Sequence, residues 1–152
     1  MIRVNCAVDR LTDHFRLDEF AHHDKDGATV FLTPDFFKFV QMLEEFRNWY
    51  RRPMNITSGY RPVGYNKLVG GSPGSAHLYM LAIDFRLPNM LNFEPARREQ
   101  FYQNIKVKWC VICEKTEFKP QVNFYDTYIH LGISKYRESF LDKRKVMKVF
   151  DD

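Results

Sequence analysis

A chain of 152 residues, 45% hydrophobic and 16% aromatic, is long enough for one domain with a real core. At this length roughly 70% of the unfolded surface can be buried, so folding needs neither a disulfide nor a metal, and any metal is expected to be catalytic. The net charge of +4 comes from scattered basic residues, with no helix-turn-helix, zinc-finger or RNA-binding signature, which argues against a nucleic-acid partner. Arg51-Arg52, Arg97-Arg98 and the cluster Lys143, Arg144, Lys145 and Lys148 read as solvated charges.

In chain order, Leu11 to Phe20 leads into Asp24-Lys25-Asp26-Gly27, a polar surface turn. Its two acids faintly suggest a calcium loop, but no Glu arrives at the later position such a loop requires. Thr33-Pro34 opens a helix, with Thr33 as N-cap and Pro34 at the first helical position. Phe36, Phe39, Val40, Leu43, Phe46 and Tyr50 recur at helical spacing and form one apolar face, which Pro53 ends. Asn55 to Pro62 reads as a short strand running into a turn, and Val69 to Ser75 as a flexible Gly/Ser/Pro loop. Ala82-Ile83-Asp84-Phe85 is a strand with one acid in it. Residues 92–105 form a second helix, entered through Glu94-Pro95, with Phe101, Tyr102 and Ile105 on one side.

Val107 to Cys113 and Val122 to Ile133 are predicted strands, followed by a polar tail over residues 135–152. Cys110 and Cys113 have C-x-x-C spacing, but one such pair without a second is a weak metal signal, and buried strand cysteines are the better reading. The odd cysteine, Cys6, and the lack of a secretory leader favour a reducing compartment. No segment is apolar enough to insert in a membrane. The order of elements predicts a single α+β domain over residues 1–152, a small antiparallel sheet packed by helices.

Two polar residues stand out against this background. Asp84 is flanked by Ala82, Ile83 and Phe85, and burying a carboxylate costs several kcal/mol unless it is paired or bound to a metal. The bland partner for Asp84 would be Arg86, two residues on, but that pair is expected to be poorly placed. His130 lies in Tyr128-Ile-His-Leu-Gly-Ile133, another apolar strand with one polar residue. A lone buried histidine is more often a satisfied core group than a ligand. Two such residues, with His77 beside a glycine-rich loop, shift the balance toward a metal. A catalytic zinc takes three protein ligands at about 2.0–2.2 Å and keeps a fourth position for water.

Ser58-Gly-Tyr-Arg61, Asn66, Val69-Gly-Gly71, Ser75-Ala-His77, Ala82-Ile-Asp84 and Tyr128-Ile-His130 together resemble the zinc D-Ala-D-Ala carboxypeptidases and related phage endolysin peptidases. That family reads S-G-Y-R, then S-x-H-x-x-G-x-A-x-D, then an aromatic-hydrophobic-His segment. Asp13-His-Phe15 with Glu19-Phe20 is similar to the lead-in of its single-domain members, so the likeness runs from about residue 11 to 134. It implies the hedgehog/DD-peptidase fold and one zinc ion on His77, Asp84 and His130. It implies that Arg61 binds a substrate carbonyl or carboxylate and steadies an oxyanion, and that Ser75 orients the site through a hydrogen bond.

Two positions depart from the family pattern. The glycine between the histidine and the aspartate is Met80 here, so the backbone must accommodate a side chain. Related enzymes place a Glu or Asp three residues before the last histidine, as general base; here that residue is Thr127. Asp126, one residue earlier, is the preferred base, with a solvated turn acid as its bland alternative. The expected activity is hydrolysis of an amide bond in a bacterial peptidoglycan stem peptide, by a monomer of phage or prophage origin that stays cytoplasmic until release. The rival expectation is a non-catalytic, zinc-containing cell-wall-binding or virion-associated module.

Overall fold

The computed structural model describes residues 2–4, 10–89, 94–137 and 147–148. Thr33 starts the main helix, α1 (Pro34–Tyr50), by accepting a hydrogen bond from the Phe36 amide at 3.1 Å. The predicted apolar stripe faces inward, with Phe36, Phe39, Val40, Leu43, Phe46 and Tyr50 all buried. The helix stops at Arg51, which takes the left-handed conformation at φ 58°, two residues before Pro53. Fully burying each such side chain contributes about 1.5–3 kcal/mol.

The chain N-terminal to α1 forms a small antiparallel sheet of β1 (Ile2–Val4), β2 (His22–Asp24) and β3 (Gly27–Val30), in the order β1-β3-β2. The Asp24–Gly27 turn is a hairpin closed by the Asp26 amide donating to Asp24 Oδ1 at 2.8 Å. That hydrogen bond is the ordinary reason for an aspartate at a turn.

The second sheet carries the chemistry. Its strands are β4 (Ile56–Ser58), β5 (Ala82–Arg86), β6 (Lys119–Phe124) and β7 (Tyr128–Ser134), antiparallel throughout and ordered β4-β5-β7-β6. Because side chains alternate along a strand, Ile83, Phe85, Ile129, Leu131 and Ile133 all enter the core. Asp84 and His130 point the other way and are directly paired across β5 and β7.

Two sequence expectations are corrected here. Val107–Cys113 is not a strand: it belongs to α3 (Pro95–Glu114), which runs a further nine residues beyond the expected helix end. The buried face of α3 is Ile105, Trp109, Ile112 and Cys113, while Val107 and Val111 are exposed. A run that is apolar at every position but Lys108 hides that 3.6-residue period. Trp109 packs edge-on against Phe39 and Phe46 of α1 and donates from Nε1 to the Gly132 carbonyl at 2.9 Å. The cysteine pair is therefore helical. Burial, with a smaller contribution from the neighbouring Cys110, pushes the Cys113 thiol up to about 12, which makes it an inert core group.

Likewise, residues 122–133 are not one strand but the end of β6, a turn at 125–127, and β7. A further short helix, α2 (Val63–Leu68), follows Pro62 in a stretch with no predicted element. At the C-terminal end, β8 (Tyr136–Arg137) pairs antiparallel with β9 (Met147–Lys148). Cys6, Lys143, Arg144, Lys145 and most of the expected polar tail lie outside the described residues. Among the described residues no helix is long and apolar enough to cross a membrane.

Candidate metal centre

His77 reaches the site through a short, tightly capped turn. Ser75 is buried and its Oγ accepts from the His77 amide at 3.1 Å, starting a 3₁₀ turn over Ala76–Tyr79. Met80 ends the turn in the left-handed region at φ 60°, and the chain then enters β5. This is why a glycine would suit position 80: a side chain there costs roughly 1–2 kcal/mol of backbone strain. Met80 offsets that cost by being buried, with its sulfur accepting from the Phe31 amide at 3.1 Å.

His77, Asp84 and His130 converge, and all three are buried. Asp84 Oδ1 lies 3.3 Å from His77 Nε2 and 2.9 Å from His130 Nδ1. A tetrahedral zinc with bonds of about 2.0–2.2 Å would space its donor atoms roughly 3.3–3.6 Å apart, close to these separations. Among the described residues no other group of three His, Cys, Asp or Glu side chains could hold a metal.

The outer nitrogens decide the chemistry of the inner ones. His77 Nδ1 is 2.7 Å from the Gly59 carbonyl, and His130 Nε2 is 3.1 Å from Gln121 Oε1. A carbonyl oxygen only accepts, so these ring nitrogens carry the protons. In the neutral imidazoles, His77 Nε2 and His130 Nδ1 then turn lone pairs toward a carboxylate oxygen. Such an arrangement is repulsive unless both rings are charged or a cation sits among the three. Imidazole lone pairs fixed by outer carbonyls are the usual wiring of a metal-ligating histidine. The donor set fits zinc.

Burial raises the Asp84 carboxyl, but the hydrogen bonds and charges of His130 and His77 outweigh it and hold its pKa at about 2. The carboxylate is thus an anion wherever the protein is folded near neutrality. Its second oxygen, Oδ2, accepts from Arg61 Nη2 at 3.2 Å.

Arg61 is itself well held. Its Nε donates to Ser58 Oγ at 3.2 Å and its Nη1 to Asn66 Oδ1 at 3.4 Å, while Asn66 Nδ2 donates to the Ser72 carbonyl at 2.8 Å. A guanidinium has five N–H donors, so donors remain for the adjoining cleft, which Arg61 lines with Val69, Gly70, Gly71, Ser72, Asp84, Tyr125 and Tyr128. The cleft holds about 190 Å³.

Asp126 and Thr127 are exposed in the β6–β7 turn and are not among the residues lining this cleft, whereas Tyr125 and Tyr128 are, with their rings stacked 4.5 Å apart. Gln121, the Gly59 carbonyl and Tyr125 were missing from the sequence reading, and Tyr128 entered it only as the aromatic residue of the last motif. Gln121 left a faint trace, as a polar residue in a strand whose partner across the ladder is Gly132. The backbone carbonyl left none.

A family model described as Peptidase M15 matches residues 13–118, well over half of the chain. The chain belongs to the Peptidase M15 family. M15 members are zinc-dependent peptidases, and the His77, Asp84 and His130 cluster could bind such a metal. The matched M15 region contains His77 and Asp84 but ends before β7, so His130 joins the set through its pairing with Asp84. No curated protein and no solved structure matches the chain significantly.

Proposed function

We propose that this M15 protein is a zinc metallopeptidase that hydrolyses an amide bond of a bacterial peptidoglycan stem peptide, at a D-Ala-D-Ala or similar D-residue junction. The observation that carries the reading is the pair of inward lone pairs, on His77 Nε2 and His130 Nδ1, set against Asp84 Oδ1 and fixed from outside by Gly59 and Gln121. His77, Asp84 and His130 would hold the ion. Bound there, zinc supplies Lewis acidity, which acidifies water toward neutrality and polarises a carbonyl.

The rest is done by the chain's own side chains. Arg61 locks the second Asp84 oxygen and presents its remaining donors to the cleft, where they stabilise negative charge developing on a substrate oxygen. Ser75 fixes the turn that aims His77. Tyr125 and Tyr128 give the cleft an aromatic wall against which a peptide packs. Asp126 follows Tyr125 directly and serves as proton acceptor in this reading. The basic net charge of the chain suits an anionic wall polymer.

One observation favours a second reading, a zinc-containing cell-wall-binding or virion-associated module without turnover. Among the described residues Asp84 is the sole carboxylate lining the cleft, and Asp126 stands exposed on its turn. The two readings separate when purified peptidoglycan is incubated with metal-loaded protein, with and without a chelator. Release of D-Ala or cleaved muropeptide that the chelator abolishes supports the enzyme. No release by protein that elemental analysis shows to contain zinc would leave the module. Asp126→Ala should stop release while sparing zinc content; unchanged release removes Asp126 from the proton-transfer role.

A further inference from the structure

Asn66 and Gly71 belong to the sequence motif, yet neither has a task in the peptidase reading above. Both lie against Arg61. We propose that Asn66 is a positioning residue for Arg61. Its side-chain amide holds the guanidinium at the cleft and ties it to the loop that lines the same cleft, while the bare Cα of Gly71 makes room for the pair. This inference rests on the peptidase reading for what Arg61 does there, and on geometry alone for how Arg61 is held.

Three observations carry it. The first is the amide itself. Asn66 sits on α2 and is 2% exposed. Its Oδ1 accepts from Arg61 Nη1 at 3.4 Å, and its Nδ2 donates to the Ser72 carbonyl at 2.8 Å. A guanidinium only donates and a carbonyl only accepts, so the amide fits only this way round. An aspartate here would keep the acceptor and lose the donor, and an alanine would lose both.

The second is where these bonds lead. Ser72 lines the cleft beside Val69, Gly70 and Gly71. Its carbonyl also accepts from the Ser75 amide at 3.0 Å, and the Asn66 carbonyl accepts from the Gly71 amide at 2.8 Å. Asn66 therefore grips the loop through side chain and backbone together. On the other side Arg61 runs on to Asp84 Oδ2. The loop, the guanidinium and the Asp84 carboxylate form one bonded series with Asn66 in its middle. An arginine side chain has many rotamers, so donors aimed at one point in a cleft need such a hold.

The third is the crowding at Gly71. A Cβ there would stand 2.0 Å from Asn66 Oδ1 and 3.1 Å from Arg61 Nη1. The first separation is far inside van der Waals contact. A Cβ at the neighbouring Gly70 would meet nothing, so the crowding is particular to residue 71. The Asn66–Arg61 pair has space only because residue 71 carries no side chain.

The test needs no substrate at first. Protein is treated with phenylglyoxal, which adds to guanidinium groups, and adducts at Arg61 and at the exposed Arg86 are followed by peptide mass spectrometry. Asn66→Ala and Gly71→Ala should each speed modification of Arg61 about five- to tenfold and leave Arg86 unchanged. Asn66→Asp, which keeps the acceptor, should protect Arg61 nearly as well as the wild type. Combining Asn66→Ala with Gly71→Ala should be no faster than Asn66→Ala alone, because the group that the new Cβ strikes is gone. Arg61 equally protected in Asn66→Ala, Arg61 and Arg86 rising together, or effects that multiply in the double variant overturn the assignment. With diacetyl-Lys-D-Ala-D-Ala as substrate and equal zinc content, kcat should fall about tenfold in Asn66→Ala while KM changes less than about twofold. An intact kcat overturns the positioning role. No turnover by the wild type removes the peptidase reading and leaves the protection of Arg61 to decide how it is held.

Discussion

The two faces of the β4-β5-β7-β6 sheet are made by alternate residues of the same strands, yet they obey different rules. On the inner face Ile83, Phe85, Ile129, Leu131 and Ile133 meet α1 and α3 as fully buried hydrocarbon. On the outer face Asp84 and His130 would stand in water if the sheet were bare. They do not, because the segment from Gly59 to Arg61 and the Ser75–Met80 turn roof the middle of that face, leaving His130 and His77 fully buried and Asp84 nearly so. Depth of burial alone would not tell the faces apart. What separates them is that the buried ring nitrogens and carboxylate of His77, Asp84 and His130 each have a named partner, as buried polar groups require.

Breaking the outer face at its centre should have the largest effect. On the proposed peptidase reading, His130→Ala is expected to drop zinc content to background and peptidoglycan cleavage by on the order of a thousandfold or more, with the fold retained, since a domain of this size needs no metal to fold. Elemental analysis beside circular dichroism checks it; an unfolded variant would show that the inner face depends on the outer. The mirror experiment is Phe85→Ala, which opens a core cavity between Phe46 and Tyr50. It should cost about 3–5 kcal/mol in denaturant unfolding and leave zinc stoichiometry unchanged in the folded protein.

A subtler break is Gln121→Ala, which frees the His130 ring without touching a ligand. Competition with a chromogenic chelator should find zinc bound about 10–100-fold more weakly. Met80→Gly then weighs strain against packing where the roof joins β5. Losing a buried methionine outweighs relief of the left-handed backbone, so thermal unfolding should report a net loss of roughly 1–3 kcal/mol.

The smallest effect is expected away from both faces. Burial raises the Glu44 carboxyl, but the nearby Thr12 hydroxyl and hydrogen bonds from the His14 amide and ring outweigh this and bring it below its ordinary value of 4.5. A lowered folded pKa means stability that is present above 4.5 and fades as pH falls through the folded value. Glu44→Gln should flatten that acid limb while shifting neutral-pH stability by no more than about 1 kcal/mol.

The inner face was largely legible in the sequence, and so was the heart of the outer one. The α1 stripe, the β5 strand and the anomaly of Asp84 and His130 follow from periodicity and from the cost of burying charge. α3 was cut short because Val107 to Cys113 is apolar at every position but Lys108, which masks a helix carrying its exposed valines away from the core. The β6–β7 turn was missed because Tyr125-Asp126-Thr127 contains neither Gly nor Pro. The outer carbonyl of Gly59 was illegible in principle: every residue has one, and only the fold says which of them faces a histidine. Gly59 itself is dictated by the same crowding, since a Cβ there would sit 2.5 Å from the Phe20 carbonyl oxygen.

The Arg61 amide donates to the His77 carbonyl at 3.0 Å, and the Gly59 carbonyl accepts a hydrogen bond from His77 Nδ1. Together these two bonds cinch the chain like a drawstring at the base of the excursion that holds α2 and the Gly/Ser/Pro loop. Lengthening a flexible loop closed in this way adds only about 0.6 kcal/mol for each doubling. The excursion between Asn66 and Ser72 on one side and the purse-string on the other is therefore the part of the molecule that evolution, or an engineer, can lengthen or graft to change what enters the cleft without re-aiming His77.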